Sequence, residues 1–302
     1  LAYKLEYVID SIEIDAHWQH FFWFYDLLEE LRLVAKQASL IHVFTEGAKV
    51  QNSTDISQNM VSRGTRPEID EILVDLRDEE EVIVNRLIRG STKRDVVSIV
   101  GMPGMGKTTL ARKVYNNPNV THYFHCRAWC TVSQVYDKRE ILLEILRDVH
   151  GLSAENHHMS EEDLESKLRQ CLLRNKYLIV MDDVWDIGAW SDLTHSLPDD
   201  CNKSRILVTS RRRDLALEME PNSDPHSIRP FTVAESWILL EQKVFQGDGC
   251  PEELLLVGNE IAQKCKGLPL SVVAISGLLR RTEKTKDWWK KIAESFQLWL
   301  AA

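Results

Sequence analysis

One eight-residue segment constrains the fold of this chain more than any other feature. The segment fits the pattern GxxxxGK[ST] at every fixed position. Its residues are Gly101-Met102-Pro103-Gly104-Met105-Gly106-Lys107-Thr108. An apolar run precedes it and a helix-forming stretch follows. Glycines let successive backbone N–H groups face one anion, and the N-terminus of a helix adds about half a positive charge. The segment therefore predicts a phosphate-binding loop between a strand and a helix.

The last two residues of this loop have specific predicted roles. We expect the Lys107 ammonium to reach the β- and γ-phosphates of a nucleotide, and the Thr108 hydroxyl to ligate Mg²⁺. We also expect Lys107 to face solvent without ligand, so that its removal costs the fold little. The other nucleotide contacts predicted in this loop and helix are Gly101, Gly104, Met105, Gly106 and Thr109.

An apolar run that ends in two acids is the second signal. Four apolar residues precede Asp182, which puts this carboxylate at the end of a strand, where phosphates lie in parallel sheets. The arrangement is typical of the strand that supplies the second Mg²⁺ contact in P-loop NTPases. Asp183 is a candidate to orient or deprotonate a water molecule. The alternative interpretation of Asp182 is a loop cap, and Asp183 need not be a base.

A cation follows the next apolar run. Arg211 comes directly after residues 206–210, and arginine pairs well with phosphate oxygens. Arg211 is therefore a candidate sensor of the γ-phosphate. The competing interpretation is that Arg211, Arg212 and Arg213 form a solvated basic turn. The strand in front of Arg211 favours it over its two neighbours.

Strands that alternate with helices predict the fold class. The expected strands are Val96–Val100, Phe124–Val132, Tyr177–Met181 and Arg205–Thr209. The expected helices lie around residues 82–87, 107–117, 138–149 and 160–174, and then near 232–245, 251–265, 269–280 and from 286 onwards. Short apolar strands between helices predict an α/β parallel sheet covered on both faces, followed by a helical subdomain. Ser160 and Thr232 are each followed three residues later by an acid, which predicts helix caps.

The first seventy residues have a different pattern. Apolar stripes at helical spacing over residues 1–44 predict two amphipathic helices, either an αα-hairpin or the tail of a helical bundle. The polar composition that follows predicts a linker. Because the chain begins at Leu1 without an initiator Met, we expect a piece of a longer protein.

Composition excludes several classes of protein. A length of 302 residues allows roughly two compact domains. The net charge of −9 argues against a generic nucleic-acid binder, which normally carries a basic excess. No run reaches about 18 apolar residues, the length that a transmembrane helix needs.

The cysteines do not predict a disulfide framework or a zinc site. The 6 cysteines are sparse and include no CxxC pair, which indicates reduced thiols. His122, His125, Cys126 and Cys130 are close in sequence, but strand alternation sends His125 to the face opposite the two cysteines. We therefore expect a buried strand face, with Phe124 beside Cys126, rather than a metal centre.

Several motifs in one order resemble the NB-ARC region of plant coiled-coil NLR immune receptors, relatives of the apoptotic protease-activating ATPases. The similar segments are Val96–Leu110, Phe124–Leu142, Tyr177–Asp186, Ser204–Arg211, His226–Phe245 and Cys265–Leu279. Residues 6–10 look like the EDVID motif, with Tyr7 in place of Asp. Ser210 stands where the commoner form has Thr. The pattern as a whole looks like the solanaceous late-blight-resistance branch.

The resemblance implies a nucleotide switch. ADP would hold the receptor closed, and exchange for ATP would permit homo-oligomerisation and hypersensitive cell death, with at most slow ATP hydrolysis. The adenine would lie near Val74 and Leu76, and Pro269 would contact the nucleotide from the helical subdomain. The acidic face of Glu6 and Asp10 would dock on leucine-rich repeats.

The resemblance also implies a domain organisation. Residues 1–44 would be a partial coiled-coil domain of the Rx type, 45–70 a linker, 71–225 the P-loop nucleotide-binding domain and 226–302 the first ARC subdomain. Expected partners are the leucine-rich repeats and winged-helix subdomain of the whole receptor, and indirectly a pathogen effector. The expected location is cytoplasmic, with plasma-membrane association on activation.

Two other classes of function compete with the switch. The first is a housekeeping P-loop ATPase or small-molecule kinase, but no arginine-bearing lid segment stands out between Asp183 and Arg205. The second is a helical interaction protein with a vestigial P-loop. The intact set of Lys107, Thr108 and Asp182 argues against that interpretation.

Overall fold

The computed structural model of the chain describes residues 76–132, 134–151 and 154–301. The predicted coiled-coil segment, the linker and Val74 lie outside these residues. The described residues up to Trp289 form one compact unit.

A five-stranded parallel sheet forms the centre of this unit. The strands are β1 (Asp95–Val100), β2 (Cys126–Thr131), β3 (Tyr177–Val184), β4 (Arg205–Ser210) and β5 (His226–Ser227). Their order in the sheet is β2-β3-β4-β1-β5. Strand β4 thus lies between β1, which leads into the glycine-rich loop, and β3, which ends in the two acids.

Helices connect the strands, and further helices follow the last strand. The helices around the sheet are α1 (Arg77–Arg89), α2 (Lys107–Asn116), α3 (Pro118–Tyr123), α4 (Lys138–His150), α5 (Glu161–Leu172), α6 (Ile187–Thr194) and α7 (Arg213–Met219), with a 3₁₀ turn at Ala154–His158. The helices after β5 are α8 (Val233–Phe245), α9 (Glu252–Lys264), α10 (Pro269–Arg281) and α11 (Lys286–Ala301). Helix α8 packs against both α9 and α10.

The strands are buried on both faces, as their continuous apolar character predicts. One core cluster joins the sheet to α4, α5, α6 and α7, and includes Val96 and Ile206. The other joins the opposite face to α1, α2 and α3, and includes Val97 and Leu207. Because neighbouring residues of a strand point to opposite faces, one run of apolar residues supplies both clusters. The α/β fold class, with a covered parallel sheet followed by helices, is confirmed.

The structure corrects the predicted start of strand β2. The strand begins at Cys126, and the residues before it form the short helix α3. Asn117 caps that helix by accepting a hydrogen bond from Asn119 N, and Pro118 occupies its first turn. Phe124 is buried in the cluster of the α1–α3 face, whereas Cys126 packs against the other cluster. The prediction that these two side chains share one strand face is therefore wrong.

Helices α6 and α7 and strand β5 were likewise not predicted from the sequence. Helix α6 starts where the Asp186 carboxylate accepts a hydrogen bond from Gly188 N. Helix α7 follows the basic run after β4. Strand β5 consists of only two residues, because its parallel pairing with β1 is limited to Ile99 with His226 and Val100 with Ser227. Elements this short leave too few residues for a periodic pattern.

The predicted helix caps are present. The Thr232 hydroxyl accepts from Glu235 N and the Glu235 carboxylate accepts from Thr232 N, which completes a capping box at α8. The Ser160 hydroxyl accepts from Asp163 N at α5. In that helix the acid accepts from the serine hydroxyl instead of the serine N–H.

No group of three or more acidic, histidine or cysteine side chains that could hold a metal ion occurs among the described residues. None of the helices in the part of the chain that the structure describes is long and apolar enough to cross a membrane.

One arginine joins the sheet region to the helical region. Arg229 Nη2 lies 3.1 Å from Asp78 Oδ2 at the start of α1 and 2.8 Å from Glu235 Oε1 in α8. The hydrogen bond from Arg229 is the main reason that the pKa of Glu235 is lowered to about 2. Glu235 is thus held in its charged form by Arg229 and by the capping box.

This network predicts an acid-dependent loss of stability. A carboxyl group with a lowered folded pKa contributes stability above its unfolded pKa of about 4.3, and this stability is lost as pH falls toward about 2. We expect Arg229→Met to reduce the free energy of unfolding by about 1 kcal/mol at neutral pH. The acid slope, meaning the fall of this free energy as pH drops through that range, should become flatter. Thermal midpoints measured across the window test this.

The control is Arg212→Met, because the Arg212–Asp214 pair is exposed, at 54% and 69% of the two side chains. An exposed pair of this kind contributes little, so stability and slope should stay unchanged. An Arg229→Met variant with the acid slope of the unaltered protein would contradict the role of this network.

Candidate functional site

The glycine-rich segment forms a tight loop between β1 and α2. Gly104 and Gly106 adopt positive φ values of 76° and 89°. Helix α2 begins at Lys107 without a side-chain cap and without an acidic residue in its first turn. The N–H groups of that turn are therefore left for an anion, which the positive end of the helix favours.

Lys107 is buried, which corrects the prediction that it faces solvent. Only 7% of the residue is exposed. Its Nζ donates to Gly101 O at 2.9 Å and to Met102 O at 3.0 Å, so the loop itself satisfies the ammonium. Burial, followed by repulsion from Arg211, lowers the pKa of Lys107 to about 8. The loop thus holds a desolvated cation that a phosphate would neutralise.

The first acid of strand β3 is hydrogen-bonded to the loop. Asp182 Oδ1 accepts from the Thr108 hydroxyl at 2.9 Å and from the Thr209 hydroxyl at 2.6 Å. Burial is the largest influence on its pKa, which is raised although both hydroxyls oppose the shift. The structure therefore brings together Thr108 and Asp182, the two residues predicted to ligate Mg²⁺.

The second acid lies at an irregularity of strand β3. The register with β4 shifts between Met181 and Val184, and Asp183 has a φ of +57°. Its N–H donates to the Thr209 hydroxyl at 2.8 Å, so Thr209 links the two acids. Bulges of this kind re-aim side chains and are common beside active sites.

Arg211 lies against Asp183. Its Nε is 3.6 Å from Asp183 Oδ1, and its guanidinium carbon is 4.2 Å from the centre of the Trp185 ring. The two following arginines have other partners: Arg212 pairs with Asp214, and Arg213 with Asp224. The structure thus separates Arg211 from the exposed basic turn.

The helical subdomain contacts the loop directly. Leu270 N, in the first turn of α10, donates to Gly104 O at 3.2 Å. Pro269 is buried at the first position of that helix. Gly267 has a φ of +72°, and its carbonyl accepts a hydrogen bond from Phe231 N at 2.9 Å. This turn presents the start of α10 to the loop.

Two of the residues predicted to contact the nucleotide are buried. Leu76 and Met105 are 3% and 4% exposed. Met105 belongs to the cluster on the α1–α3 face, so it anchors the loop to the sheet. Thr109, in the first turn of α2, is half-buried.

Sequence reasoning missed Thr209, Trp185 and Leu270. A hydroxyl at the end of the apolar run 206–208 is a signal that could have identified Thr209. Trp185 and Leu270 carried no such signal. The Trp185 ring stacks on Arg211, which is 26 positions away, and Leu270 acts through its backbone N–H.

The donor set fits a nucleotide phosphate and a hard cation. The loop supplies the Lys107 ammonium and the uncapped N–H groups of α2, which suit phosphate oxygens. Thr108 and Asp182 supply a hydroxyl and a carboxylate, the oxygen ligands that Mg²⁺ prefers. The chemistry of these groups is therefore suited to a nucleotide phosphate and to a hard cation.

Some solved structures resemble the chain weakly. The ADP form of the ORC2 protein from Aeropyrum pernix has a TM-score of 0.49 and 18% identity, covering 76% of this chain and 69% of its own. Drosophila ORC bound to DNA has a TM-score of 0.48 and 11% identity, covering 85% of this chain and 73% of its own. Likenesses at this level carry no functional information.

Relatives of higher identity come from Solanum demissum. The putative late blight resistance protein homolog R1B-14 is 39% identical over 297 residues, or 97% of this chain and 22% of that protein. Late blight resistance protein R1-A is 36% identical over 297 residues, or 97% of this chain and 23% of that protein. The chain thus spans about a fifth of the length of the curated relatives it matches.

The family model of the NB-ARC domain matches residues 76–250. The match contains the glycine-rich loop, both acids of β3 and Arg211. It also contains α8, the first helix after β5. The chain therefore belongs to the NB-ARC domain family.

Proposed function

We propose that this chain is the nucleotide switch of a plant disease-resistance receptor, closed with ADP and opened by exchange for ATP. The family and the late blight resistance relatives support this proposal. For the whole protein we propose an intracellular receptor that senses a pathogen effector indirectly. Its leucine-rich repeats and winged-helix subdomain would restrain this chain, and homo-oligomerisation after exchange would trigger cell death.

The hydrogen bond from Leu270 N to Gly104 O carries the proposal. It joins the first turn of α10 to the phosphate-binding loop, so a change in what the loop holds acts directly on the helical part. A switch requires such a connection. We accordingly propose residues 71–225 as the nucleotide-binding domain and 226–302 as the helical ARC subdomain, with residues 1–44 as part of a coiled-coil domain.

The roles of the remaining site residues follow from their positions. Lys107 and the loop N–H groups would bind the phosphates, with the adenine near Val74 and Leu76 and with Pro269 against the nucleotide. Thr108 and Asp182 would hold Mg²⁺, which when bound neutralises charge on the phosphate oxygens. Asp183 would orient water, and hydrolysis would be slow because Arg211 and Trp185 engage its carboxylate.

A small-molecule kinase is the competing proposal, and the segment before β4 disfavours it. Helix α6 lies there, and its Ala189, Trp190 and Leu193 are buried in the core. A helix anchored in this way does not act as a lid over an acceptor. Rapid turnover of ATP onto a small acceptor would nevertheless establish the kinase.

Bound nucleotide and metal dependence test the switch. Purified protein should carry ADP at near-stoichiometric occupancy, measured by chromatography after denaturation. We expect Asp182→Asn to weaken Mg-dependent ATP binding by about 10-fold or more, since ligand-sphere changes cost about that much in metal affinity. Metal-free ADP binding should change little, because an amide oxygen can still accept from both hydroxyls.

The matched control is Asp186→Asn, an exposed cap on the same chain segment, where asparagine caps as well as aspartate. Calorimetry with and without Mg²⁺ should not distinguish this control from the unaltered protein. Equal losses in Asp182→Asn with and without the metal would identify Asp182 as a structural cap. Protein that carries no nucleotide and binds none would contradict the switch itself.

A further inference from the structure

Trp185, Asp183 and Arg211 form a closed cluster beside the phosphate-binding loop. The Trp185 indole Nε1 donates to Asp183 Oδ2 at 3.3 Å, and Arg211 Nε lies 3.6 Å from Asp183 Oδ1. The Arg211 guanidinium stacks on the indole with its carbon 4.2 Å from the ring centre. Each of the three side chains therefore contacts the other two.

The indole acts on both charged groups at once. Its N–H fixes one oxygen of the Asp183 carboxylate, and its face holds the guanidinium that faces the other oxygen. A cation on the face of a tryptophan is held more firmly when it is partly desolvated. The exposed fractions of the Arg211 and Asp183 side chains are only 23% and 25%.

We propose that Trp185 is a positioning residue that retains Arg211 on Asp183 and thereby makes the site prefer ADP to ATP. The inference rests on the proposed function and on the role predicted for Arg211 from the sequence, that of a sensor of the γ-phosphate. ADP lacks that phosphate and leaves the cluster undisturbed. ATP binds tightly only when Arg211 leaves the carboxylate and the indole. The apparent affinity for ATP is therefore the intrinsic affinity multiplied by the fraction of protein in which Arg211 is released.

The surroundings of the cluster agree with this arrangement. Arg211 is close enough to Lys107 for its charge to contribute to the lowered pKa of the lysine. Arg211 therefore lies within electrostatic range of the group that would bind the phosphates. Asp183 is also held by its backbone, through the hydrogen bond to Thr209. The arginine is thus the part of the cluster that can move.

Nucleotide affinities of Trp185 variants test the proposal. We expect Trp185→Leu, which removes both the ring face and the N–H, to raise ATP affinity by roughly 3- to 30-fold and to leave ADP affinity unchanged. Trp185→Phe, which keeps a face but loses the N–H, should give a smaller gain in the same direction and guards against misfolding of the leucine variant. Calorimetry with ADP and with a non-hydrolysable ATP analogue gives the ratio of the ADP affinity to the ATP affinity.

Two controls separate positioning from a structural effect. Trp190→Phe makes the same change at a second arginine–tryptophan pair, Arg94 with Trp190, and should leave the ratio unaltered. In an Arg211→Ala background, Trp185→Leu should no longer change the ratio, because the group it retains is gone. Fluorotryptophan labelling, with the Trp185 signal assigned from the phenylalanine variant, should show a shift with the ATP analogue but not with ADP.

The outcomes also separate this inference from the proposed function. An unchanged ratio in Trp185→Leu, or a fall in ATP affinity, would overturn the role of Trp185 while the unaltered protein still binds both nucleotides. Persistence of the effect in the Arg211→Ala background would overturn it as well. Failure of the unaltered protein to bind either nucleotide would instead refute the switch.

Discussion

Replacing Lys107 by methionine should weaken nucleotide binding severely and, at the same time, make the nucleotide-free protein more stable. The two effects have one cause, since the ammonium is buried in the loop and burial disfavours its charged form. Charge-assisted hydrogen bonds contribute about 1.5–3 kcal/mol each, so the loss of two phosphate contacts predicts a fall in ADP affinity of about 100-fold or more.

The gain in stability follows from the pKa. A folded-state pKa of about 8, below the ordinary 10.5, means that the folded protein binds this proton less tightly than the unfolded chain. The charged lysine therefore destabilises the fold below pH about 8, by up to about 3 kcal/mol, and the penalty disappears as pH rises toward about 10.5. Methionine keeps the length of the side chain and lacks the charge.

Denaturation at several pH values and calorimetry with ADP measure both effects. The advantage of Lys107→Met over the unaltered protein should shrink between about pH 8 and about pH 10.5. Lys113→Met, in the last turn of the same helix, is the control and should retain ADP binding. Undiminished ADP affinity in Lys107→Met would refute the phosphate-binding role of the loop.

Substitution of Gly267 should disrupt the helical subdomain and its contact with the loop. A Cβ at this position would lie 2.3 Å from Phe231 O, and the residue has a φ of +72°. The backbone strain of alanine in this conformation and the overlap with a carbonyl together predict a loss of about 2–5 kcal/mol. The contact with backbone leaves little room for relief by side-chain movement.

Gly277→Ala is the matched control in the next helix. A Cβ there meets nothing within 4 Å, so alanine should stabilise the exposed helix interior by about 0.5–1 kcal/mol. In the unaltered protein we expect ADP to slow amide exchange over residues 262–280, because Leu270 is bonded to the loop. Gly267→Ala should lose this protection and Gly277→Ala should keep it. A Gly267→Ala variant as stable and as well protected as the unaltered protein would refute the model of the turn.

Local patterns predicted much of the fold. The spacing of glycine, lysine and threonine in residues 101–108 identifies a loop between a strand and a helix. This was possible because the groups that form the loop lie within eight consecutive residues. Continuous apolar runs predicted a sheet buried on both faces, which the two core clusters confirm. The capping box at Thr232 was visible for the same reason, since its partners are three residues apart.

The sequence by itself therefore determined the fold class and which residues form the phosphate-binding loop. Only the tertiary structure decided how that loop is held and what it touches. Strand β4 lies between β1 and β3, so Thr209 reaches Asp182, and the start of α10 reaches Gly104. The burial of Lys107 and the stacking of Arg211 on Trp185 depend likewise on groups far apart in the chain or on desolvation. Such properties arise only when the chain is packed. A residue pattern shows which side chains are present, but it does not show which of them become buried against one another.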